Sequence, residues 1–241
     1  MRIFIGIDDT DTIDSNRGTG KLARWFGSAL PDDCRLWGVV RQQLLVDDSI
    51  PYTSHNSAAC VVVDVPDPSR INDLIDLAVS HIHEHFEPGS DPGLCVASNG
   101  KTDLSGLIEF GYTCVKQKVD QSDARQAAAI AHLSGHGGTN DGIIGAAAAV
   151  GLTASGGCGR FIEFGNLRDW PEKVRVADLN RQHIQVLSLD RDARIPCPSD
   201  WVYTRNWIRP CLMGGQPVLA VRPRTDGSWE NIFEKRKKKP H

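Results

Sequence analysis

Three carboxylates follow a short apolar run at the amino end of the chain. Residues 2–7 predict a buried β-strand, and Asp8, Asp9 and Asp11 come directly after it in a polar loop. Because acids at this spacing repel one another, they require a compensating positive charge. Carboxylate oxygens suit Mg²⁺, which also binds phosphate oxygens and water. The spacing therefore predicts a Mg²⁺ site at the carboxyl end of this strand. The alternative is that the loop only caps the next helix, but capping requires one acid and not three.

The next predicted element is a helix from Thr19 to Leu30, where apolar residues recur with helical spacing until Pro31. Its entry reads Gly18-Thr19-Gly20-Lys21. Backbone amides at a helix start, the helix dipole and a lysine ammonium are all suited to holding phosphate. The entry is not a Walker A loop. We expect Gly18, Gly20 and Lys21 to contribute to nucleotide binding.

The remaining pattern alternates strands with helices. Strands are predicted at 35–43, 58–65, 94–97, 161–164, 184–189 and 218–221, and helices at 69–86, 122–133 and 142–151. Ser69 is the expected cap of the second helix, and Ser122 with Asp123 is expected to open the third. The alternation indicates an α/β or α+β fold.

A glycine-rich segment is the second predicted phosphate site. Residues 134–145, SGHGGTNDGIIG, lead into a small and apolar helix. Gly137, Gly138, Gly142 and Gly145 would expose backbone amides, or would only permit a sharp turn and close helix packing. Gly100-Lys101-Thr102 also follows a strand, but Cys95 replaces the leading glycine of a P-loop, which favours a plain turn.

Composition bounds the class of protein. The 241 residues are 40% hydrophobic and 24% charged, as in an ordinary globular chain. They contain no apolar run of membrane-spanning length and no signal peptide, so we expect a cytoplasmic protein without a membrane partner. Seven scattered cysteines without a C-x-x-C pair indicate free thiols. A net charge of −3 argues against a globally basic nucleic-acid binder, although residues 235–241 form a basic tail.

Two weaker patterns involve histidine. His81, His83 and His85 cannot all share one helix face, and we interpret them as surface residues rather than metal ligands. Cys114 with His132 or His136 would be a nucleophilic pair only if the fold brought them together.

Five motifs occur together in a fixed order. They are Ile7-Asp8-Asp9-Thr10-Asp11, the Gly18-Thr19 helix entry, Ile50-Pro51-Tyr52 with Asn56-Ser57-Ala58, Asp91-Pro92-Gly93, and Gly137-Gly138 through Gly142-Ile143-Ile144-Gly145-Ala146. This ordered set resembles the archaeal tRNA-isoleucine agmatidine synthetase family, TiaS. The resemblance implies a kinase-like α/β domain with an inserted or adjoining ferredoxin-like α+β subdomain.

The resemblance also implies site roles. Asp8, Asp9 and Asp11 would bind Mg²⁺ and ATP, with Thr10 and Asn56 in the nucleotide site. Thr19 would match the family's threonine, which is phosphorylated when ATP activates a cytidine carbonyl for attack by agmatine.

Several departures from the family pattern bear on the acceptor. The family's C-T-T becomes Gly18-Thr19-Gly20, and the basic residue before its G-L-I-G becomes Asp141. The expected domains are 1–165, the TiaS-like region; 166–234, additional strands; and 235–241, the basic tail. No room is expected for the family's tRNA-holding OB-fold and zinc ribbon. The acceptor would therefore be a small molecule or an RNA, and a homodimer is among the open oligomeric states.

Two other functions compete with ATP-dependent phosphoryl transfer. Asp9-Thr10-Asp11 supplies the two acids of the D-x-D-x-[TV] pattern of haloacid-dehalogenase phosphatases, with Asp9 as nucleophile, but Ile13 stands at the pattern's fifth position. A non-catalytic RNA- or nucleotide-binding module would use Trp201, Tyr203, Arg205 and Trp207 for stacking, together with the basic tail. Buried strand aromatics would explain the same residues.

Overall fold

The computed structural model describes residues 1–50, 55–100, 103–189 and 194–232. The chain divides into two compact units, Met1–Phe164 and Gly165–His241. Pro51 and Tyr52 of the third motif, Lys101 and Thr102 of the G-K-T turn, and the basic tail lie outside the described residues.

The first unit is an antiparallel sheet with helices on both faces. Its elements are β1 (Arg2–Asp8), α1 (Thr19–Ser28), β2 (Arg35–Gln43), β3 (Ser57–Asp64), α2 (Arg70–His85), β4 (Gly93–Ser98), α3 (Ser105–Lys116), α4 (Gln121–Ala127), β5 (His132–Gly135), α5 (Gly142–Ala154) and β6 (Arg160–Glu163). Strand order is β5-β4-β1-β3-β2-β6, with every pair antiparallel. The stretch β1-α1-β2-β3-α2-β4 is the ferredoxin-like βαββαβ unit.

Strand β1 lies at the centre of this sheet, and its side chains alternate between two cores. Ile3, Ile5 and Ile7 face α1 and α2, where Phe26 and Leu74 are fully buried. The even-numbered residues of β1, such as Phe4, pack with α3 and α5 on the opposite face. The carboxyl end of β1 thus emerges between two helical layers.

Helix α5 approaches the sheet at backbone distance. A Cβ at Gly6 would overlap the Ala146 carbonyl oxygen, and one at Gly93 would overlap the backbone of Gly142. Residues 145–153 are all buried, as expected for a helix that is apolar on every side. This contact needs glycine in both β1 and β4, and it brings the start of α5 to the carboxyl end of β1.

The second unit is a smaller, mainly β structure. Its elements are β7 (Lys173–Arg175), α6 (Val176–Arg181), β8 (Gln185–Ser188), β9 (Trp201–Tyr203), β10 (Cys211–Met213), β11 (Gln216–Pro223) and β12 (Trp229–Asn231). Within it the strands follow the order β10-β11-β12-β9-β7, and β8 pairs with β11 in parallel.

The predicted α/β (α+β) class is confirmed, and two local predictions are wrong. The helix expected at 122–133 ends at Ala127, and His132–Gly135 instead form β5, paired with β4. Tertiary pairing overrides the helix propensity of the alanines here. Asp120, rather than Ser122, caps α4 through a capping box with Asp123. Ser69 occupies the N-cap of α2 but makes no capping hydrogen bond with its side chain.

All seven cysteines are free thiols, as predicted. Among the helices of the described residues, none combines the length and apolarity required to cross a membrane.

The α5 contact predicts that Gly6→Ala lowers the free energy of unfolding by about 2–3 kcal/mol or more, because the methyl group would meet backbone rather than a movable side chain. Chemical denaturation measures the loss. Gly106→Ala is the matched control: Gly106 is exposed on α3, with the nearest atom 3.6 Å from an added Cβ, and alanine there should be neutral or stabilising. Equal unfolding curves for the two variants would contradict the packing argument.

Candidate active site at the end of strand β1

Asp8 and Asp9 lie where β1 ends and the chain turns. Asp8 is the last residue of β1 and pairs with Gly93 of β4, and both acids are partly buried. Asp9 adopts a left-handed backbone conformation, with φ of 52°. Its carbonyl oxygen accepts the Asp91 N–H at 3.1 Å, which ties this turn to the segment before β4.

The electrostatics of these two acids are unfavourable for the ionised forms. Burial raises the pKa of Asp8 to about 7, and the charges of Asp9 and Asp11 add to the effect. Burial also raises the pKa of Asp9 to about 6, followed by repulsion from Asp91, Asp11 and Asp141. A cation bound here would relieve this repulsion, so Asp8 and Asp9 are the residues best suited to hold one.

Asp11 plays a different part because it binds the start of α1. Its Oδ1 accepts the backbone N–H of Thr19 and the Thr19 hydroxyl, both at 3.1 Å. Thr19 Oγ1 in turn accepts the Thr10 N–H at 3.3 Å and the Thr10 hydroxyl at 3.1 Å. Thr10 and Thr19 are only 2% and 6% exposed. Asp11 therefore caps the helix and at the same time contacts a buried hydroxyl.

The helix entry opens onto a small cleft. The cleft has a volume of about 210 Å³ and is lined by Asp11, Thr12, Ile13, Ser15, Asn16, Arg17 and Gly18. Gly18 is the N-cap of α1, and a Cβ there would meet Asp11 only at ordinary contact distance. Gly20 and Lys21, which were also expected to contribute to nucleotide binding, make packing contacts instead. Gly20 faces Ile162, and the exposed Lys21 places its Nζ 5.0 Å from the Trp25 ring centroid.

The glycine-rich loop also reaches the acids. Gly145, in the first turn of α5, has no room for a Cβ because Asp8 Oδ2 occupies that space. Gly142 lies against the Asp91 carbonyl, and Gly137 against Ser90 and Pro92. The amino end of α5, the positive end of its dipole, is thus placed beside Asp8.

Asp91 organises this loop, a role that is not apparent from the sequence. Its carboxylate accepts the N–H groups of Thr139, at 3.0 Å, of Asn140, and of Asp141, at 3.1 Å, as well as the Thr139 hydroxyl. Gly138, in a left-handed conformation, leaves space for the same carboxylate. The only signal in the sequence was the Asp-Pro-Gly motif, since a partner nearly fifty residues away is not visible in local patterns.

Asn56 lies outside this hydrogen-bond network. Its side chain donates to the Leu45 carbonyl at 2.6 Å and so closes the connection between β2 and β3. The register of β3 against β1, with Ile7 opposite Ala59, still places Asn56 at the same edge of the sheet as the acids.

The histidine and cysteine interpretations are partly wrong. His81 is buried, and its Nε2 lies 3.1 Å from the Leu22 carbonyl oxygen, so it is not a surface residue. His83 is exposed and its Nε2 lies 3.0 Å from His136 Nδ1. Cys114 is buried, which raises its pKa to about 12 and makes it unsuitable as a nucleophile.

Within the described ranges, no group of three or more His, Cys, Asp or Glu side chains is arranged to hold a metal ion. A cation at Asp8 and Asp9 would complete its coordination with phosphate oxygens and water, which is the usual arrangement for Mg²⁺.

Comparison with known proteins identifies one structural group. No protein-family model matches the chain, and no curated protein matches it by sequence. Among solved structures it is similar to apo TiaS, the tRNA agmatidine synthetase, at 25% identity and a TM-score of 0.52, over 63% of this chain and 35% of that one.

Two further structures give similar values. The complex of TiaS with tRNA and ATP has 25% identity and a TM-score of 0.53, over 63% of this chain and 36% of that one. A tRNA fluorescent labeling enzyme has 26% identity and a TM-score of 0.53, with the same coverage. The resemblance to TiaS is confirmed, and the chain spans little more than a third of the length of these structures.

Asp91→Ala should lower the free energy of unfolding by about 2–4 kcal/mol, because four donors lose a charged acceptor. Relief of repulsion on Asp9 would offset a small part of this loss. Asp67→Ala is the control: the exposed Asp67 accepts the N–H of the nearby Ser69 within a turn, and its loss should cost less than about 1 kcal/mol. Similar denaturation midpoints for both variants would show that Asp91 does not hold the loop.

Asp8→Asn should raise the melting temperature by about 2–4 °C at pH 8 in buffer with EDTA. The folded-state pKa of Asp8 is raised, so above pH 7 the carboxylate is ionised against burial and repulsion, and the isosteric amide removes that charge. Asp14→Asn, at an exposed position of the same loop, should leave the melting temperature unchanged. A lower melting temperature for Asp8→Asn would mean that the carboxylate stabilises the metal-free fold.

Proposed function

We propose that this chain is a Mg²⁺-ATP-dependent phosphoryl-transfer enzyme of RNA modification, with ATP and an RNA or small-molecule acceptor as its substrates. One observation supports the proposal most directly: the partly buried carboxylates of Asp8 and Asp9 are repelled by the charge of Asp11, and Asp11 accepts a hydrogen bond from the buried Thr19 hydroxyl. The likeness to TiaS, one structure of which is a complex with tRNA and ATP, supports the proposal at the level of the family.

Asp8 and Asp9 would hold Mg²⁺ together with the triphosphate. When bound, the metal ion would neutralise charge on the phosphoryl group that is transferred. The residues present fit such an ion, because repulsion and burial already disfavour two uncompensated carboxylates here. The amino end of α5, with Gly142 and Gly145 beside the acids, would face the phosphates.

Thr19 and Asp11 have the geometry of a nucleophile and its base. The Thr19 hydroxyl donates to Asp11 Oδ1, so Asp11 can accept the proton when Thr19 Oγ1 attacks the γ-phosphorus. The bond from that phosphorus to the bridging oxygen breaks, and ADP leaves. Because Thr19 is only 6% exposed, residues 11–18 must move to admit the phosphate. The cleft bordered by Asp11 and Gly18 could hold a phosphate group but is too small for a whole nucleotide.

The proposal predicts that Asp9→Asn lowers release of phosphate from ATP by about 100-fold or more, because metal neutralisation is worth several kcal/mol in the transition state. Release of labelled γ-phosphate in the presence of Mg²⁺ measures this. Asp14→Asn, at an exposed position of the same loop, should retain the activity. If the folded Asp9→Asn variant released γ-phosphate from ATP as fast as the unaltered chain, the proposed function would be wrong.

Mass spectrometry after incubation with Mg²⁺-ATP should show one added phosphate on Thr19 and none in Thr19→Val. The isosteric valine removes the nucleophilic oxygen, and the hydrogen bonds of that hydroxyl are lost with it. A hydroxylamine-labile phosphate on Asp9 would instead support the phosphatase. Absence of any phosphate transfer or ATP consumption, together with retained RNA binding, would support the non-catalytic module.

A further inference from the structure

The two units carry opposite charge. Residues 1–164 contain 12 basic and 21 acidic side chains, a net charge of −9, whereas residues 165–241 contain 15 basic and 9 acidic ones, a net charge of +6. Four of the six tryptophans also belong to the second unit. The tail, residues 235–241, supplies five of these basic side chains, so residues 165–234 contain 10 basic and 9 acidic ones and are close to neutral. An RNA backbone is therefore repelled by the first unit as a whole but not by the second.

Part of the second unit's charge is arranged on a row of aromatic rings. Strand β7 pairs with β9 so that Lys173 lies opposite Tyr203 and Arg175 opposite Trp201. Arg175 Cζ is 3.8 Å from the Trp201 ring centroid, and Lys173 Nζ is 5.1 Å from that centroid and 4.9 Å from that of Tyr203. Arg224 Cζ is 4.2 Å from the Tyr203 centroid. We call these five residues the cation–aromatic row.

The row lies on the solvent side of its strands. Val174 and Val202, which alternate with the row residues, are 3% and 0% exposed, so the opposite face is the core. Lys173 and Arg224 are exposed, and the other members are half-buried. Long side chains and ring faces are therefore available along one edge of the unit.

Neighbouring acids do not cancel the charge of the row. Asp226 lies 3.7 Å from Arg224, but its carboxylate also accepts the Ser228 N–H and hydroxyl within a turn. Asp200 interacts electrostatically with Arg175, and its carboxylate accepts the Trp229 indole N–H and the Cys197 N–H. Asp178 accepts the Arg175 backbone N–H and pairs with Arg181. The acids beside the row are thus already engaged with other donors.

A purely structural role is the competing explanation. An exposed cation–π contact contributes about 0.5–1 kcal/mol, so the row would add some stability to a small unit. Stability alone, however, does not require a positive excess, whereas binding of phosphates with stacked bases does. A protein that modifies RNA with an acidic catalytic unit also needs a basic surface elsewhere to retain its substrate.

We propose that the cation–aromatic row binds a single-stranded segment of the RNA acceptor, with phosphates on Lys173, Arg175 and Arg224 and an unpaired base on Tyr203 or Trp201. The inference rests on the proposed function for the identity of the acceptor. Basic and aromatic side chains in alternation are the features that hold single-stranded RNA without reading its sequence.

The test uses the full chain and a fluorescein-labelled, mixed-sequence single-stranded RNA of about 12 nucleotides, within the range of known single-strand site sizes, titrated at several salt concentrations. Lys173→Ala combined with Arg224→Ala should weaken binding about tenfold and reduce the salt slope by about 1.4, as expected for two lost phosphate contacts. Tyr203→Leu should weaken binding about fivefold or more without changing the slope, and Tyr203→Phe should restore it. Melting temperatures establish that each variant is folded.

Arg181→Ala is the matched control, because Arg181 is an exposed arginine of the same unit that pairs with Asp178 outside the row. It should bind RNA like the unaltered chain. Equal loss in the control and the row variants, or loss only on removal of residues 235–241, would overturn the inference.

Consumption of ATP without RNA separates this inference from the proposed function. Row variants should consume Mg²⁺-ATP normally while losing RNA affinity. If the unaltered chain consumes no ATP but binds RNA through the row, the proposed function fails and the RNA-binding face stands. If ATP is consumed and the row variants bind RNA unchanged, the RNA-binding face fails alone.

Discussion

The approach of α5 to β1 and β4 is the contact on which the rest of the first unit depends. Gly6 and Gly93 remove the side chains that would hold a helix at its ordinary distance from a sheet. The helix therefore begins where β1 ends, and Gly145 makes space for the Asp8 carboxylate. A larger residue at any of these positions would move the helix start away from the acids, so packing and the candidate active site are determined together.

The acids at this place divide into two kinds. Asp91 and Asp11 direct their carboxylates to N–H and O–H donors of the protein, and so fix the glycine-rich loop and the start of α1. Asp8 and Asp9 instead have raised pKa values, because burial and their neighbours disfavour ionisation. The first kind stabilises the fold, whereas the second leaves the metal-free fold less stable. That conflict is typical of sites that bind a charged ligand.

The opposite charges of the two units connect the two proposals. An acidic unit is compatible with ATP only when a cation offsets its carboxylates, and it is unsuited to retain a polyanion. The second unit lacks that negative excess, and it carries cations in its tail and on ring faces along β7 and β9. The chemistry assigned to each unit thus follows from the sign of its charge and from the side chains that carry it.

Strand β1, its acids and the helix that follows them were predictable from the sequence alone, because a buried strand and an amphipathic helix are patterns of neighbouring residues. The sequence also marked the glycine-rich loop before α5, as a phosphate site or as a turn that permits close packing. Three features became apparent only in the folded chain: Asp91 holds that loop, His132–Gly135 form a strand instead of a helix end, and His81 is buried. Each of these depends on a partner from a distant part of the chain, and local propensity carries no information about such partners.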